Sequence, residues 1–91
     1  MKHRKLQSFQ EDFDRLPEEI KRKAEKAFRL FKDNPSHPSL QIEQLEGTKG
    51  IWHGWIDYHY RWTFCYESDH KTRQTICVHR RIGKHDIERN P

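Results

Sequence analysis

Residues 51–67 read IWHGWIDYHYRWTFCYE, and this stretch holds all three tryptophans and all three tyrosines of the chain. From residue 60 onward an aromatic ring recurs at every second position, and between the rings lie Arg61, Thr63 and Cys65. Because successive side chains of a strand point to opposite faces of a sheet, the pattern predicts a strand with one packed face and one polar face. A tight turn near residues 57–59 would join it to a preceding antiparallel strand. Arg61 is therefore predicted to point away from the core.

The length and charge of the chain limit the number of domains, the partners and the location that it can have. Its 91 residues suit one compact domain over residues 1–91. The formal charge of +4, with seven histidines uncounted, predicts a surface that attracts anions, so nucleic acid is the first candidate partner and an acidic protein the second. There is no apolar run that would cross a bilayer, and the basic residues at the start are not followed by the apolar core of a signal peptide. A cytoplasmic location and no membrane partner are expected.

Cys65 and Cys77 are the only cysteines. Two cysteines do not require a disulfide, and a reducing compartment would keep both as thiols. A cross-strand pair is a less favoured alternative. Metal binding by the two alone is less favoured still, because they lack the Cys-x-x-Cys spacing.

Two helices are predicted before residue 34. Ser8 and Glu11 have the spacing of a capping box, which predicts a first helix over residues 9–16. Pro17 opens a second helix that extends to about residue 33, because apolar side chains recur at spacings of three and four. They are Ile20, Ala24, Ala27, Phe28 and Phe31.

The remaining segments complete a sheet. Residues 2–7 are predicted to form a short first strand, residues 36–50 a mostly irregular connection, and residues 72–82 a last strand. In that last strand the period of two assigns Ile76, Val78 and Ile82 to the core and assigns Cys77, His79 and Arg81 to the face of Arg61. Arg80 has the parity of the core, so it either reaches out at the sheet edge or marks a bulge.

The predicted fold is α+β, with an N-terminal strand, a helical hairpin and then a three-stranded antiparallel meander. The helices are expected to pack on one face of a four-stranded sheet. The other face is expected to remain open.

Cations and imidazoles collect on this open face. Basic groups on a rigid sheet hold a phosphate and stabilise the charge that develops during its attack, and histidines transfer protons near neutral pH. Cleavage of RNA needs this combination: a base for the 2′-hydroxyl, an acid for the leaving oxygen and positive charge at the phosphate, with no metal. Trp55 has the parity of His53 and offers a stacking platform for a base. The polar set comprises His53, Asp57, His59, Arg61, His79 and Arg81, with Lys84 and His85 following.

Single residues of this polar set also have simpler, non-catalytic interpretations. A single exposed histidine is more often a spectator than a catalyst, and Asp57 is as well suited to shaping a turn as to handling protons. A zinc site made by Asp57, His59 and His85 is the least favoured interpretation, since the chain has no helical His-x-x-x-His pair. No metal and no small-molecule cofactor is expected.

The order of elements and five short segments resemble the RelE/ParE superfamily of type II toxin–antitoxin toxins. The resemblance covers nearly the whole chain. The segments are FDRLPEEI at 13–20, Asn34-Pro35 with His37-Pro38, Leu45-Glu46-Gly47, Tyr60-Arg61-x-x-Phe64 and IGKHDI at 82–87.

The resemblance implies a small bacterial toxin that a cognate acidic antitoxin neutralises. In the RelE and YafQ branches such toxins enter the ribosomal A site and cut mRNA through attack of the 2′-hydroxyl. Arg61 resembles the arginine that contacts the scissile phosphate, and Lys84 matches a basic residue after the glycine of the last strand. His85 resembles the histidine that YafQ-like members use as a general acid or base.

Other positions match less closely or depart from the pattern. Asp57 and His59 resemble an Asp-x-His of the YafQ-like members, and His53 lies where RelE has a lysine. RelE also has a tyrosine near its C-terminus, whereas this chain has Ile87 and Glu88. The acid role of that tyrosine would therefore pass to His85.

Three hypotheses follow. The first is a ribosome-dependent mRNA endoribonuclease with the catalytic set His59, Arg61, Lys84 and His85 and the substrate-binding set His53, Trp55, Asp57, His79 and Arg81. The second is a ParE-like inhibitor that binds DNA gyrase without doing chemistry. The third is an inactive homologue that acts only as half of a regulatory complex.

Overall fold

The computed structural model describes residues 1–91 and contains two helices and a five-stranded mixed sheet. The elements are β1 (Lys2–Lys5), α1 (Gln7–Asp14), α2 (Glu18–Asp33), β2 (Glu43–Gln44), β3 (Trp52–Trp55), β4 (Tyr60–Ser68) and β5 (Thr75–Lys84). Across the sheet the order is β1-β5-β4-β3-β2, in which β1 runs parallel to β5 and the other pairs are antiparallel. The predicted α+β class and the antiparallel meander are confirmed.

The sheet has five strands rather than the predicted four. The additional strand is β2, which lies in the segment predicted to be irregular and pairs Glu43 with His53 and Gln44 with Trp52. Its two residues are too few to give a periodic pattern in the sequence. They are recognised as a strand only by their pairing with β3. Leu40 and Leu45, on either side of β2, are buried and anchor this segment.

β4 and β5 form a long hairpin that is interrupted by one bulge. Thr63 pairs with Arg81 and Phe64 pairs with His79, so Arg80 has no partner on β4. Of the two alternatives for Arg80, the bulge is confirmed. An extra residue reverses the facing of every side chain beyond it.

The bulge corrects part of the predicted facing of β5. His79 and Cys77 lie opposite Phe64 and Tyr66, and the His79 ring packs against rings of both helices. The prediction that Cys77 and His79 share the face of Arg61 is therefore wrong. Val78 and Ile76 take that face instead, opposite Cys65 and Glu67, whereas Arg81 and Ile82 keep their predicted faces opposite Thr63 and Trp62.

The first helix begins at Gln7, two residues before the predicted start, and no side chain caps it. The hydroxyl of Ser8 donates to the carbonyl of Arg80 at 2.7 Å, which ties α1 to the bulge of β5. The predicted capping box is therefore wrong. The second helix begins directly after Pro17, as predicted, and carries Glu18 and Glu19 in its first turn. Neither helix has the length and apolar character needed to cross a bilayer.

The core lies between the two helices and one face of the sheet. The ring of Phe31 on α2 packs against Trp62 and Phe64, with centroid distances of 5.6 and 5.0 Å. Gly54 lies opposite Trp62, and a Cβ at this position would approach the indole to 2.4 Å. Only glycine lets β3 pass this close to the largest side chain of the core.

The other face of the sheet is not open along its whole length, as the sequence predicted. Residues 85–89 form a short 3₁₀ helix whose Ile87 is buried. The hydroxyl of Thr63 and the guanidinium of Arg80 both donate to the carbonyl of Pro91, at 3.3 and 3.0 Å. The end of the chain therefore covers the middle of this face.

Candidate active site

An open cleft lies where the turn before β4 meets the end of β5. Tyr60 pairs with Lys84, and this pairing brings the residue before Tyr60 close to the residue after Lys84. The cleft has a volume of about 600 Å³ and is lined by His59, Tyr60, Lys84, His85 and Asp86. Three of the four residues predicted to be catalytic therefore meet at one place.

The residues of the cleft carry two imidazoles, an ammonium, a carboxylate and a phenol. The side chains of His59, Lys84 and His85 are exposed, and ring Nε2 of His85 lies 3.5 Å from the carbonyl oxygen of Tyr58. An imidazole accepts a proton on one nitrogen and donates one from the other, so a pair of them supplies both an acid and a base. The ammonium of Lys84 supplies fixed positive charge beside them.

Arg61, the fourth predicted catalytic residue, is on the predicted face but is only 4% exposed. Its Nη1 donates to the carbonyls of Asp57 and Tyr60 at 2.5 and 3.0 Å. The ring of Trp55, its partner in the register, covers the guanidinium carbon at 3.8 Å. The expectation of a freely exposed guanidinium is therefore wrong, because the turn carbonyls and the indole enclose it.

Opposing effects act on the pKa of Arg61. Burial lowers this pKa, while the carboxylates of Glu88 and Asp57 raise it, and the net direction is downward. An arginine remains charged at neutral pH even with such a shift. Arg61 therefore adds a buried positive charge under the turn that carries His59.

Asp57 shapes the turn between β3 and β4. Its Oδ1 accepts the backbone N–H groups of His59 and Tyr60, both at 2.9 Å, and its Oδ2 lies 3.3 Å from Nζ of Lys23. Burial raises the pKa of Asp57, but the two backbone donors and Lys23 outweigh it, so the pKa lies below its ordinary value. Of the two roles considered for Asp57, these contacts match the turn-shaping one.

His53 and Arg81 are on the predicted face, but each lies beside at least one carboxylate. His53 Nδ1 lies 3.4 Å from Glu88, and its Nε2 lies 4.0 Å from Glu43. The guanidinium of Arg81 donates to both oxygens of Asp12, at 2.6 and 3.2 Å. The hydrogen bond to Asp12 raises the pKa of Arg81, although burial opposes it. Neither side chain lines the cleft.

His79, predicted to bind substrate, lies on the opposite side of the sheet and is 4% exposed. Burial, together with the nearby His3 and the lysines Lys5 and Lys32, lowers its pKa to about 4, so the ring is neutral at pH 7. One ring nitrogen of His79 lies 3.0 Å from Nδ1 of His3. This pair lies beneath the helices and has no route to the cleft face.

Two residues of the cleft were not among the predicted site residues. Tyr60 was assigned to the packed aromatic face, and Asp86 to a polar tail. Both are next in sequence to a predicted catalytic histidine. That adjacency is the signal that points to them, because a cleft at strand ends is lined by consecutive residues of the turns.

Comparison with protein-family models and with curated proteins finds no match. Solved structures do match. A YoeB/ParE toxin from Agrobacterium tumefaciens is 19% identical with a TM-score of 0.73, over 93% of this chain and 99% of that one. YafQ from E. coli strain BL21(DE3) is 13% identical with a TM-score of 0.73, over 93% of each chain. A RelB-RelE antitoxin-toxin complex from Methanococcus jannaschii is 15% identical with a TM-score of 0.65, over 92% of each chain.

The chain has the RelE/ParE toxin fold. The coverage of nine-tenths or more on both sides means that the helical hairpin, the meander and the C-terminal segment all belong to this fold. The resemblance inferred from the sequence is therefore confirmed for the architecture. Within the RelE/ParE fold, the cleft of this chain is built by the β3–β4 turn and the end of β5.

Proposed function

We propose that this chain is the toxin of a type II toxin–antitoxin system and that it cleaves mRNA on the ribosome by attack of the 2′-hydroxyl. The observation that carries the proposal is the open cleft, in which His59, Lys84 and His85 surround a space of about 600 Å³. Such a space accommodates a nucleotide and its scissile phosphate. The likeness in fold to YafQ and RelE, each solved in a toxin–antitoxin complex, supports the toxin part of the proposal.

In the proposed reaction one imidazole of the pair His59 and His85 takes the proton of the 2′-hydroxyl. The 2′ oxygen then forms a bond to phosphorus, and the bond from phosphorus to the 5′ oxygen breaks. The second imidazole gives its proton to that leaving oxygen, so that the products are a 2′,3′-cyclic phosphate and a 5′-hydroxyl. General acid–base catalysis of this kind contributes about 10²–10⁴-fold to a rate.

Positive charge is the second requirement of the reaction. Lys84 is exposed in the cleft and is proposed to contact the phosphate oxygens as they gain charge. Arg61 is proposed to act on the same charge. Because the indole of Trp55 covers its guanidinium at 3.8 Å, direct contact with a phosphate requires this ring to move aside. A role for His53, Trp55, Asp57 or Arg81 in RNA binding stays part of the proposal, outside the cleft itself.

The proposed protein partner is a cognate acidic antitoxin. The RelE of Methanococcus jannaschii was solved in complex with RelB, and YafQ of E. coli was solved in complex with DinJ. The net charge of +4 complements an acidic partner. Binding of such a partner over the cleft would keep RNA away from His59 and His85.

Primer extension on mRNA from translating ribosomes, together with analysis of the 3′ end of the upstream fragment, tests this proposal. The expected result is cleavage with a 2′,3′-cyclic phosphate on the upstream fragment, and its loss when a 2′-deoxynucleotide replaces the nucleotide before the cut. Undiminished cleavage of the 2′-deoxy substrate would overturn the mechanism. An intact mRNA together with inhibition of gyrase supercoiling would overturn the activity itself.

A further inference from the structure

The parallel pairing of β1 with β5 brings a second set of reactive side chains together on the helix side of the sheet. His3 pairs with Cys77, and His79 lies two residues further along β5 on the same face. One ligand atom from each of the three residues lies within 4.8 Å of the other two. This trio lies about 20 Å along β5 from the cleft residue Lys84, so it belongs to a different site.

The histidines of this trio have an unusual environment. Nδ1 of His3 lies 3.0 Å from Nε2 of His79, and the two rings are stacked with a centroid distance of 5.2 Å. The other nitrogen of His79, Nδ1, is buried without any hydrogen-bond partner, although the residue is only 4% exposed. Because Nε2 is the nitrogen of His79 that faces His3, Nδ1 keeps the ring proton when Nε2 binds an ion.

The distances are compatible with a bound metal ion after a small movement of the side chains. Zinc bound by nitrogen at about 2.0 Å and by sulfur at about 2.3 Å, in tetrahedral geometry, holds its ligand atoms about 3.3–3.6 Å apart. The contact of 3.0 Å between the imidazoles is close to this spacing. The longest separation of 4.8 Å needs a side-chain movement of about 1 Å to reach it.

A small cavity reaches the two histidines of the trio. It has a volume of about 70 Å³ and is lined by His3, Lys5, Phe9, Phe28, Lys32 and His79. Lys5 and Lys32 disfavour a cation at its mouth. The negative charge of a Cys77 thiolate would offset the positive charge of these lysines, because coordination replaces the proton of the thiol by the metal. The cavity has room for a water molecule as the fourth ligand.

We propose that His3, Cys77 and His79 form a binding site for a thiophilic divalent metal ion, of which Zn²⁺ fits this ligand set best. Two imidazoles and one thiolate are a borderline-soft set that favours zinc over Mg²⁺ or Ca²⁺. The ion would join β1 to β5 by direct bonds. One proton is released from Cys77 for each ion that binds.

The test uses the full chain, stripped of metal and kept reduced with a phosphine. Titration with Co²⁺ is expected to give one ion per chain, with intense visible bands and a thiolate-to-cobalt band in the near ultraviolet, all removed by Zn²⁺. Cys77→Ala should abolish the thiolate band, and His3→Gln should weaken Zn²⁺ binding by about tenfold or more. The half-buried His3 ring makes this variant compatible with the fold, which circular dichroism of the metal-free protein checks.

Cys65→Ala and His70→Gln are the matched controls, because Cys65 and His70 lie outside the trio. Both should bind Co²⁺ as the unsubstituted chain does. A form with two extra residues before Met1 should also bind normally, which separates this site from capture of metal by a free amino group near His3. Absence of the thiolate band, or its persistence in Cys77→Ala, would overturn the proposal. None of these readouts depends on RNA cleavage.

Discussion

Asp57 fixes the shape of the turn that presents His59 to the cleft. Its carboxylate accepts two backbone N–H groups and contacts Lys23, and these partners favour its ionised form. In Asp57→Asn the amide oxygen keeps the backbone hydrogen bonds, but the negative charge is lost. We expect this change to lower the free energy of unfolding at pH 7 by about 1 kcal/mol.

The pH dependence of that difference follows from the direction of the pKa shift. The pKa of Asp57 is lowered in the folded state from 3.8, so the ionised group stabilises the fold above its unfolded-state pKa. This stabilisation should be lost as the pH falls through the folded-state pKa. Urea unfolding of both proteins between pH 7 and pH 3 checks it. A difference that stays constant down to the lowest pH would contradict the role assigned to the charge.

Gly54 is the residue that allows β3 to approach the core. A Cβ at this position would lie 2.4 Å from the indole of Trp62 and 2.7 Å from a methyl group of Ile42. Gly54→Ala should therefore destabilise the fold by about 1–3 kcal/mol through overpacking. The cost should be smaller in a Trp62→Phe background, where the ring leaves space. Equal costs in the two backgrounds, measured by thermal unfolding, would exclude this clash as the cause.

At the level of elements, the bulge at Arg80 decides which side chains of β5 reach the core. It lets Ile82 and His79 face the helices together, although they are three positions apart, a spacing that in a regular strand gives opposite faces. Deletion of Arg80 would restore regular pairing and keep His79, Arg81 and Ile82 on their present faces. We expect the deletion to preserve cooperative unfolding and to lower the free energy of unfolding, because the bonds of Arg80 to Ser8 and Pro91 are lost. Arg80→Ala, which keeps the chain length and removes only the bond to the carbonyl of Pro91, should cost about 1 kcal/mol.

The elements that the sequence predicted are those with a long periodic pattern. Rings at every second position of β4 and the apolar stripe of α2 gave the correct strand and helix, and both lie in the core. The facing of Cys77 and His79 was predicted wrongly, because the sequence around Arg80 allowed two explanations and did not show which one applied. The bulge, which is one of the two, reverses the facing of both side chains. The capping box failed because Ser8 bonds to Arg80, a residue distant in sequence.

At the scale of the whole molecule, the proposed binding of RNA should depend on the excess of positive charge. The net charge is +4, and Lys84 is exposed in the cleft. The logarithm of RNA affinity should fall linearly with the logarithm of the salt concentration. Lys84→Gln should reduce the slope by about 0.7, the value for one contact with single-stranded RNA. Lys71→Gln makes the same change of charge in the turn after β4 and should leave the slope unchanged.

The candidate site was partly predictable because it lies at the ends of strands. Tyr60 pairs with Lys84, so His59, which precedes Tyr60, must lie near His85, which follows Lys84. The predicted meander therefore placed the two histidines together correctly. The burial of Arg61 and the carboxylates around His53 were not predictable. They depend on Trp55, Glu43 and Glu88, which come from three separate elements and meet only in the folded chain.

The rate of mRNA cleavage by His85→Ala tests the central claim most directly. Cleavage on stalled ribosomes, with the protein in excess, would be compared for the unsubstituted chain, His85→Ala and the control His70→Ala, whose histidine lies at the far end of the β4–β5 hairpin. The cleft mechanism predicts a loss of about 10²-fold or more in His85→Ala and no loss in the control. Equal cleavage by all three proteins, each with its fold intact, would contradict it.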